Sequence, residues 1–143
     1  MTSAAHRGIH HGRVEWMDTD AAGHHHNTAV NRWVESAEAA LMRQRGLDGY
    51  FGAAPRVRHE VDFEARLWFG QEITAEVVVE RIGTSSMTFT YEVWGETFEG
   101  RPRVRAAVGR YVTVHVPAGV GRAEAWPGEW VTALTGSGEV PGS

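Results

Sequence analysis

One short stretch of the chain, residues 18–27, concentrates the groups that could carry out chemistry. It contains two carboxylates, Asp18 and Asp20, and then Gly23, which lacks a Cβ and lets the backbone approach a ligand closely. A carboxylate close to a group that stabilises an oxyanion is suited to attack on an activated carbonyl. Asp20 is therefore the first catalytic candidate, with a turn-forming role as the alternative for both carboxylates.

The helix predicted directly after this stretch can supply the oxyanion-stabilising group. Apolar residues recur with helical spacing at Val30, Trp33, Val34, Ala37 and Leu41. Gly46 is a typical stop, so the helix has about 18 residues. The unpaired N–H groups and positive dipole end at its N-terminus favour negative charge, so an oxyanion forming near Asn27 would be stabilised. Asn27 also suits a plain capping role, and both interpretations stay open.

Metal and lysine chemistry are disfavoured by the residue types. Three consecutive histidines, residues 24–26, are interpreted as loop or pocket residues, because adjacent side chains rarely point to one ion. No metal site is predicted. The chain has no cysteine, which excludes thiolate nucleophiles and cysteine-based metal centres. Its 14 basic residues are all arginine, so a lysine Schiff base or a P-loop lysine is impossible.

A predominantly antiparallel sheet is predicted to position this stretch. A short strand over residues 13–17, with Val14 and Trp16 on one face, precedes it. Residues 57–67 alternate strictly between apolar and charged side chains, which indicates a half-buried strand with His59 on its apolar face. Further strands are predicted over residues 73–79, 87–93 and 104–116, the last with Val104, Ala106, Val108, Val112 and Val114 on one face.

The order of these elements defines the fold class. One strand, one long helix and four consecutive strands give an α+β fold, in which the helix covers one face of a five-stranded antiparallel sheet. The bare sheet edges favour pairing with a second copy of the chain. Near the start of the last strand, Arg101 and Arg103 flank Pro102 in either a solvated hairpin or a phosphate clamp.

Composition bounds the remaining possibilities. The 143 residues form one predicted domain, with an ordered core over about residues 8–134 and a flexible C-terminal tail. A formal net charge of −4 disfavours nucleic-acid binding. No secretory signal or apolar membrane-spanning stretch is recognisable, so a cytoplasmic protein without membrane attachment is expected.

The chain resembles the hot-dog-fold acyl-CoA thioesterases of the 4-hydroxybenzoyl-CoA thioesterase type. The resemblance rests on VEWMDTDAAG at residues 14–23, on Asn27 and on NRWVESA at residues 31–37. The family pattern is an aromatic strand, D-x-D-x-x-G, a short loop and a helix carrying R-W/Y-x-E-x-A. Weaker agreement continues through FEARL at residues 63–67, GTSS at residues 83–86 and Trp126-Pro127. The resemblance thus covers about residues 8–134.

The resemblance implies the hot-dog fold, a long central helix wrapped by a curved antiparallel sheet, assembled as a dimer or as a tetramer of two dimers. It implies a thioesterase that acts on an acyl-CoA or acyl-carrier-protein thioester and needs no cofactor besides the coenzyme A of its substrate. Asp20 would be the catalytic carboxylate, as nucleophile or as general base. The backbone N–H around Asn27, at the helix start, would polarise the thioester carbonyl, and Gly23 is the third catalytic candidate.

The candidate substrate-binding residues, some of them contributed by a neighbouring subunit, are His26, Glu35, His59, Ser85, Ser86, Arg101 and Arg103. Glu35 falls where one branch of the family contacts the acyl group. Two alternative functions remain: a hot-dog hydratase or dehydratase, which uses an Asp and a His five residues apart as Asp20 and His25 are, and a non-catalytic acyl-CoA-binding module.

Overall fold

The computed structural model describes residues 6–20, 25 and 27–136. Its strands and helices are β1 (Arg7–Arg13), α1 (Asn27–Gln44), β2 (Arg56–Phe63), β3 (Glu72–Ile82), β4 (Ser86–Gly95), β5 (Val104–Val114) and α2 (Gly128–Thr135). The strands form one antiparallel sheet in the order β1-β3-β4-β5-β2. The predicted α+β architecture of one long helix on a five-stranded antiparallel sheet is confirmed. The short helix α2 was not predicted.

Helix α1 lies across β1, β3 and β4 and buries its apolar stripe against them. Trp33 and Leu41 in this stripe are at most 1% exposed. The approach to β1 is close, because a Cβ at Gly8 would lie 2.3 Å from the carbonyl oxygen of Ala37. Glycine is thus required where the helix crosses β1. Gly46 ends the helix with a φ of +73°, as predicted.

The residues of the Asp18–Asp20 motif lie at one end of the sheet, which we call the motif end. There β1 and β4 finish and β3 and β5 begin, since Arg13 pairs with Glu72 and Gly95 pairs with Val104. The chain then runs through a 3-10 turn, Trp16–Asp18, before it reaches α1. The opposite end carries the β3–β4 hairpin turn and the start of β2.

Two predicted strands were wrong in extent or burial. The strand over residues 13–17 does not exist as such, because β1 ends at Arg13 and Trp16 belongs to the 3-10 turn, where it is 76% exposed. Strand β2 ends at Phe63 rather than at residue 67, and its apolar face is not half-buried: Val57 is 61% and Phe63 43% exposed. The reason is that β2 is an edge strand, whereas α1 packs mainly against β1, β3 and β4.

The alternation predicted for the last strand was also wrong. Val93 pairs with Ala107 and Trp94 with Arg105, so Ala106 is an extra residue in a β-bulge. After the bulge, the side chains that face the core are those of the odd-numbered residues of β5 and no longer those of the even-numbered ones. Tyr111 and Thr113 are fully buried, whereas the predicted core residues Val112 and Val114 are only half-buried, and the strand ends at Val114 rather than at residue 116.

No helix within the described part of the chain is both long enough and apolar enough to cross a membrane.

Candidate active site

The loop that carries Asp20 is closed at its base by backbone pairing. Thr19 and His25 form an isolated antiparallel bridge. Asp20 follows Thr19 directly, and Asn27, the first residue of α1, comes two residues after His25. Both Asp20 and Asn27 are exposed. An accessible carboxylate and an accessible helix N-terminus therefore follow the two residues of the bridge closely in sequence; Gly23 and His26, the other candidates there, lie outside the described residues.

His25 is a structural anchor for this loop. It is 8% exposed, and its backbone N–H donates to the Leu67 carbonyl oxygen over 2.9 Å. In return, the Leu67 N–H donates to His25 Nδ1 over 3.0 Å, which requires the neutral ring with its proton on Nε2. The ring also lies beside Trp33 of α1, with 6.1 Å between the ring centroids. His25 thus joins the loop to both α1 and the segment after β2.

The two carboxylates of the motif differ in environment. Asp18 is 4% exposed, and both of its oxygens are bonded. Arg32 Nη2 donates to Asp18 Oδ1 over 2.5 Å, and the Glu15 N–H donates to Asp18 Oδ2 over 2.8 Å. These contacts support a structural role for Asp18. Asp20 is the carboxylate of the motif that is open to solvent.

The N-terminus of α1 offers a favourable position for a developing negative charge. The helix has 18 residues and no acidic residue in its first turn. Its macrodipole is equivalent to about half a positive charge at that end, and the first N–H groups have no partner within the helix. No carboxylate of the first turn neutralises this positive end, which is the arrangement expected of a site that binds an anionic or oxyanionic group.

Glu35 lies on the exposed side of α1, two turns from Asn27, or about 12 Å along the helix axis. It lines a cleft of about 540 Å³ together with Glu38, Arg43, Tyr50 and Arg56, among others. This cleft lies between α1, the chain after it and the start of β2. Within one subunit Glu35 is therefore displaced from Asp20 along the helix.

A buried carboxylate that the sequence analysis missed forms the floor of this cleft. Glu38 is 8% exposed and accepts three hydrogen bonds, from Tyr50 Oη over 2.5 Å, Tyr111 Oη over 2.9 Å and Arg56 Nη2 over 3.0 Å. Burial and the neighbouring Glu38 carboxylate raise the pKa of both tyrosines well above the ordinary value. The available signal was position, because Glu38 falls inside the apolar stripe of α1, four residues after Val34.

His59 lies on the helix-facing side of β2 and is hydrogen-bonded to Tyr91, with 2.7 Å between His59 Nε2 and Tyr91 Oη. Gly109 makes this pair possible, because a Cβ there would lie 2.6 Å from Tyr91 Oη. Burial, followed by the charge of Arg56, lowers the pKa of His59. The lowered pKa favours the neutral form of His59, which lies on an edge strand of the sheet.

Ser85 and Ser86 lie at the other end of the sheet from Asp20. Their backbone carbonyl oxygens accept hydrogen bonds from the His115 N–H over 2.8 Å and from Trp126 Nε1 over 3.0 Å, respectively. Within one subunit these serines therefore do not join Asp20 in a single site. The length of β4, ten residues, separates them from the motif end.

Arg101 and Arg103 are at the motif end, in the hairpin that links β4 to β5. Arg103 Nε donates to Glu96 Oε1 over 2.8 Å, and its guanidinium lies over Trp94. The Arg101 guanidinium stacks on Trp68 at 4.2 Å from the ring centroid and is 3.7 Å from the Glu99 carboxylate. Both side chains are a little less than half exposed, and each lies beside a carboxylate.

No cluster of three or more potential metal ligands occurs among residues 6–20, 25 and 27–136.

Comparison with known proteins connects this geometry to one family. The profile of the thioesterase-like superfamily matches residues 14–134. A predicted thioesterase from Bacillus stearothermophilus is 28% identical, with a TM-score of 0.77 over 90% of this chain and 93% of that one. No curated protein is significantly similar in sequence.

Two further solved structures share the fold at lower identity. The 4-hydroxybenzoyl-CoA thioesterase from Pseudomonas sp. strain CBS-3 is 17% identical, with a TM-score of 0.80 over 90% of this chain and 99% of that one. A 1,4-dihydroxy-2-naphthoyl-CoA thioesterase from Synechocystis is 18% identical, with a TM-score of 0.76 over 90% and 95%. The hot-dog fold expected from the sequence is thereby confirmed.

Proposed function

Since the chain belongs to the thioesterase-like superfamily, we propose that it hydrolyses an acyl-CoA or acyl-carrier-protein thioester with Asp20 as the catalytic carboxylate. The observation that carries the proposal is the Thr19–His25 bridge, since Asp20 follows Thr19 directly and Asn27, the first residue of α1, comes two residues after His25. A nucleophile or base next to a preorganised positive dipole end is what attack on a thioester carbonyl needs.

In the proposed mechanism the thioester carbonyl oxygen points to the N–H groups at the start of α1, near Asn27. Asp20 either attacks the carbonyl carbon or removes a proton from a water molecule that attacks it. The oxyanion that forms is stabilised by the helix N-terminus, and its collapse breaks the C–S bond. The thiolate leaves and takes up a proton. When water is the attacking group, this step releases the free acid and the proton held by Asp20 passes to the thiolate. When Asp20 itself attacks, an acyl–Asp20 anhydride forms, and its hydrolysis by water releases the acid and restores the carboxylate. We propose that no metal or organic cofactor takes part beyond the coenzyme A or carrier arm of the substrate.

The contacts of His25 favour hydrolysis over hydration of an enoyl thioester. A hydratase would need His25 to act with Asp20 on the substrate. Here the ring is buried, and its Nδ1 is occupied by the Leu67 N–H. Asp20 together with the helix N-terminus therefore supports the hydrolytic reaction better than an Asp20–His25 pair supports hydration.

We further propose that two subunits pair through the exposed edges of β2, as a dimer or as the unit of a tetramer. Antiparallel pairing of two β2 strands places the motif end of one subunit beside the opposite end of its partner. That end carries Ser85, Ser86 and the cleft with Glu35 and Arg56. In this arrangement the substrate candidates that are remote from Asp20 within one chain approach the Asp20 of the other.

The experiment is a measurement of thiol release from aromatic and aliphatic acyl-CoAs and from an acyl-carrier protein loaded with the same groups. Aromatic groups are included because two structural neighbours are named for aromatic acyl-CoA substrates. Thiol release from members of the panel supports the proposal and identifies the carrier. Hydration of enoyl-CoA without thiol release would replace it with the hydratase alternative, and binding without turnover would replace it with the binding module.

A further inference from the structure

The ion pair between Asp18 and Arg32 connects the turn before Asp20 to helix α1. The proposed reaction needs Asp20 and the N-terminus of this helix close together. Asp18 closes the 3-10 turn that leads into the Asp20 loop, and Arg32 lies on α1 five residues after Asn27. The Asp18 carboxylate is buried, whereas the Arg32 side chain is 49% exposed. Arg32 therefore reaches from the second turn of the helix to a carboxylate fixed two residues before Asp20.

Neither oxygen of Asp18 is available to a substrate. One accepts the Arg32 guanidinium and the other accepts the Glu15 N–H. The turn is closed further by Thr19, whose N–H and Oγ1 both donate to the Trp16 carbonyl oxygen, over 3.1 and 2.7 Å. Asp18 thus acts on neighbouring residues and not on the substrate.

The far side of the same loop is fixed by the next residue of the helix. Trp33 packs against the ring of His25, which is bonded to Leu67 through its backbone N–H and its Nδ1. Arg32 and Trp33 are consecutive, so one turn of α1 contacts both the entrance and the exit of the loop. Movement of Asp18 or His25, the described residues on the two sides of Asp20, away from α1 requires one of these two contacts to break.

We propose that Asp18 and Arg32 are a positioning pair, which sets the place of Asp20 relative to the N-terminus of α1. The inference rests on the proposed function of Asp20. Loss of the pair leaves both reacting groups present but lets the loop move away from the helix. A misplacement of about 1 Å can lower a rate about 100-fold, so the effect falls on turnover and not on substrate binding.

The test compares Asp18→Asn, Arg32→Met and Arg32→Lys with the wild type. Asp18→Asn and Arg32→Met should each lower kcat about 10- to 100-fold with KM little changed. Arg32→Lys keeps a positive charge and should recover part of kcat. The matched control is Arg110→Met, which removes an exposed arginine that pairs with Glu80 over 2.6 Å on the sheet, and it should leave kcat unchanged.

A purely structural pair would lower the thermal midpoint of unfolding without this kinetic pattern. Unchanged kcat in folded Asp18→Asn or Arg32→Met overturns the proposal, as does an equal loss in Arg110→Met. Where a single variant does not fold, the double variant Asp18→Asn/Arg32→Met removes the uncompensated charge and must show the same loss of kcat.

A second readout separates this inference from the proposed function. Amide hydrogen exchange at His25 and Leu67, whose N–H groups close the loop, should accelerate in Asp18→Asn and not in Arg110→Met. If the wild type releases no thiol, the proposed function fails and exchange alone decides the coupling. Unchanged exchange in Asp18→Asn then overturns the pair as a positioning element.

Discussion

Tyr111 on β5 donates a hydrogen bond over 2.9 Å to the buried carboxylate of Glu38 on α1, across 73 residues of sequence. The same carboxylate accepts the hydroxyl of Tyr50 and the guanidinium of Arg56, which lies 3.9 Å from the Tyr111 ring centroid. One carboxylate therefore ties the helix to β5, to the start of β2 and to the turn after α1. The cleft that contains Glu35 is built on this cluster.

The tyrosines of this region should resist ionisation. The chain has three, and each has its pKa raised: Tyr50 and Tyr111 well above the ordinary value by burial and Glu38, and Tyr91 to about 12 by burial. The folded-state values exceed the unfolded value of about 10. The stability that these groups contribute is therefore complete below about pH 10 and is lost as the pH rises through the folded values.

The measurement is an alkaline titration that follows tyrosinate absorbance and circular dichroism together. No tyrosinate should appear near pH 10 while the circular dichroism remains that of the folded protein. Ionisation of any tyrosine at its ordinary pKa, with the fold intact, would contradict the buried hydroxyl cluster.

Substitution of Glu38 should destabilise the fold. Glu38→Gln leaves Arg56 without its carboxylate and weakens two tyrosine hydrogen bonds, so the free energy of unfolding should fall by about 2 kcal/mol or more. Urea unfolding at a fixed protein concentration measures it. Glu35→Gln is the matched control, since Glu35 is exposed on the same helix, and equal stability of the two variants would refute the assignment.

Gly8→Ala tests the close approach of α1 to β1. The new Cβ would meet the Ala37 carbonyl oxygen at 2.3 Å and Leu41 Cβ at 2.8 Å, and neither atom can move without shifting backbone. Such overpacking should lower the free energy of unfolding by about 1–3 kcal/mol. Gly128→Ala meets no atom within 4 Å and should be close to neutral. Equal unfolding midpoints for the two variants would show that the helix does not sit this close to β1.

The proposed subunit pairing makes a prediction for the two sheet edges. Phe63→Asp places a charge on the exposed apolar face of β2 and should shift the protein to monomers in sedimentation equilibrium, because an unpaired charge is costly to bury. Ile9→Asp changes an exposed residue on β1, the other edge strand, and should leave the mass unchanged. The reverse pattern would move the interface to β1, and an unaffected Phe63→Asp would exclude β2.

The elements predicted correctly are those whose sequence pattern is compatible with only one kind of structure. The stripe of α1 meets the sheet along its whole length, so its bounds followed from spacing and from Gly46. Strand β2 alternates equally well, but alternation does not reveal that a strand lies at an edge without a covering helix. Ala106, Ala107 and Val108 are consecutive apolar residues, so the sequence contained no sign of which one is bulged out.

In the candidate site, too, relationships between residues close in sequence were predictable, whereas contacts between residues far apart in sequence were not. Asp20 and Asn27 are seven residues apart, and the loop between them is visible in the sequence. The hydrogen-bond partners of Asp18 and Glu38 are not visible in the sequence, because Arg32 and Tyr111 reach these carboxylates only through the packing of α1 on the sheet. Ser85 and Ser86 were grouped with Asp20 by resemblance, and only the register of the strands places them at opposite ends.

The most direct test of the proposed role of Asp20 compares thiol release by the wild type, Asp20→Asn and Asp48→Asn on the best acyl thioester. Asp20→Asn keeps the shape of the side chain but removes both nucleophile and base, whereas Asp48→Asn changes an exposed aspartate in the turn after α1. We predict turnover in the wild type and in Asp48→Asn and its loss in a folded Asp20→Asn. Turnover that persists in Asp20→Asn would remove Asp20 from the chemistry and contradict the proposed function.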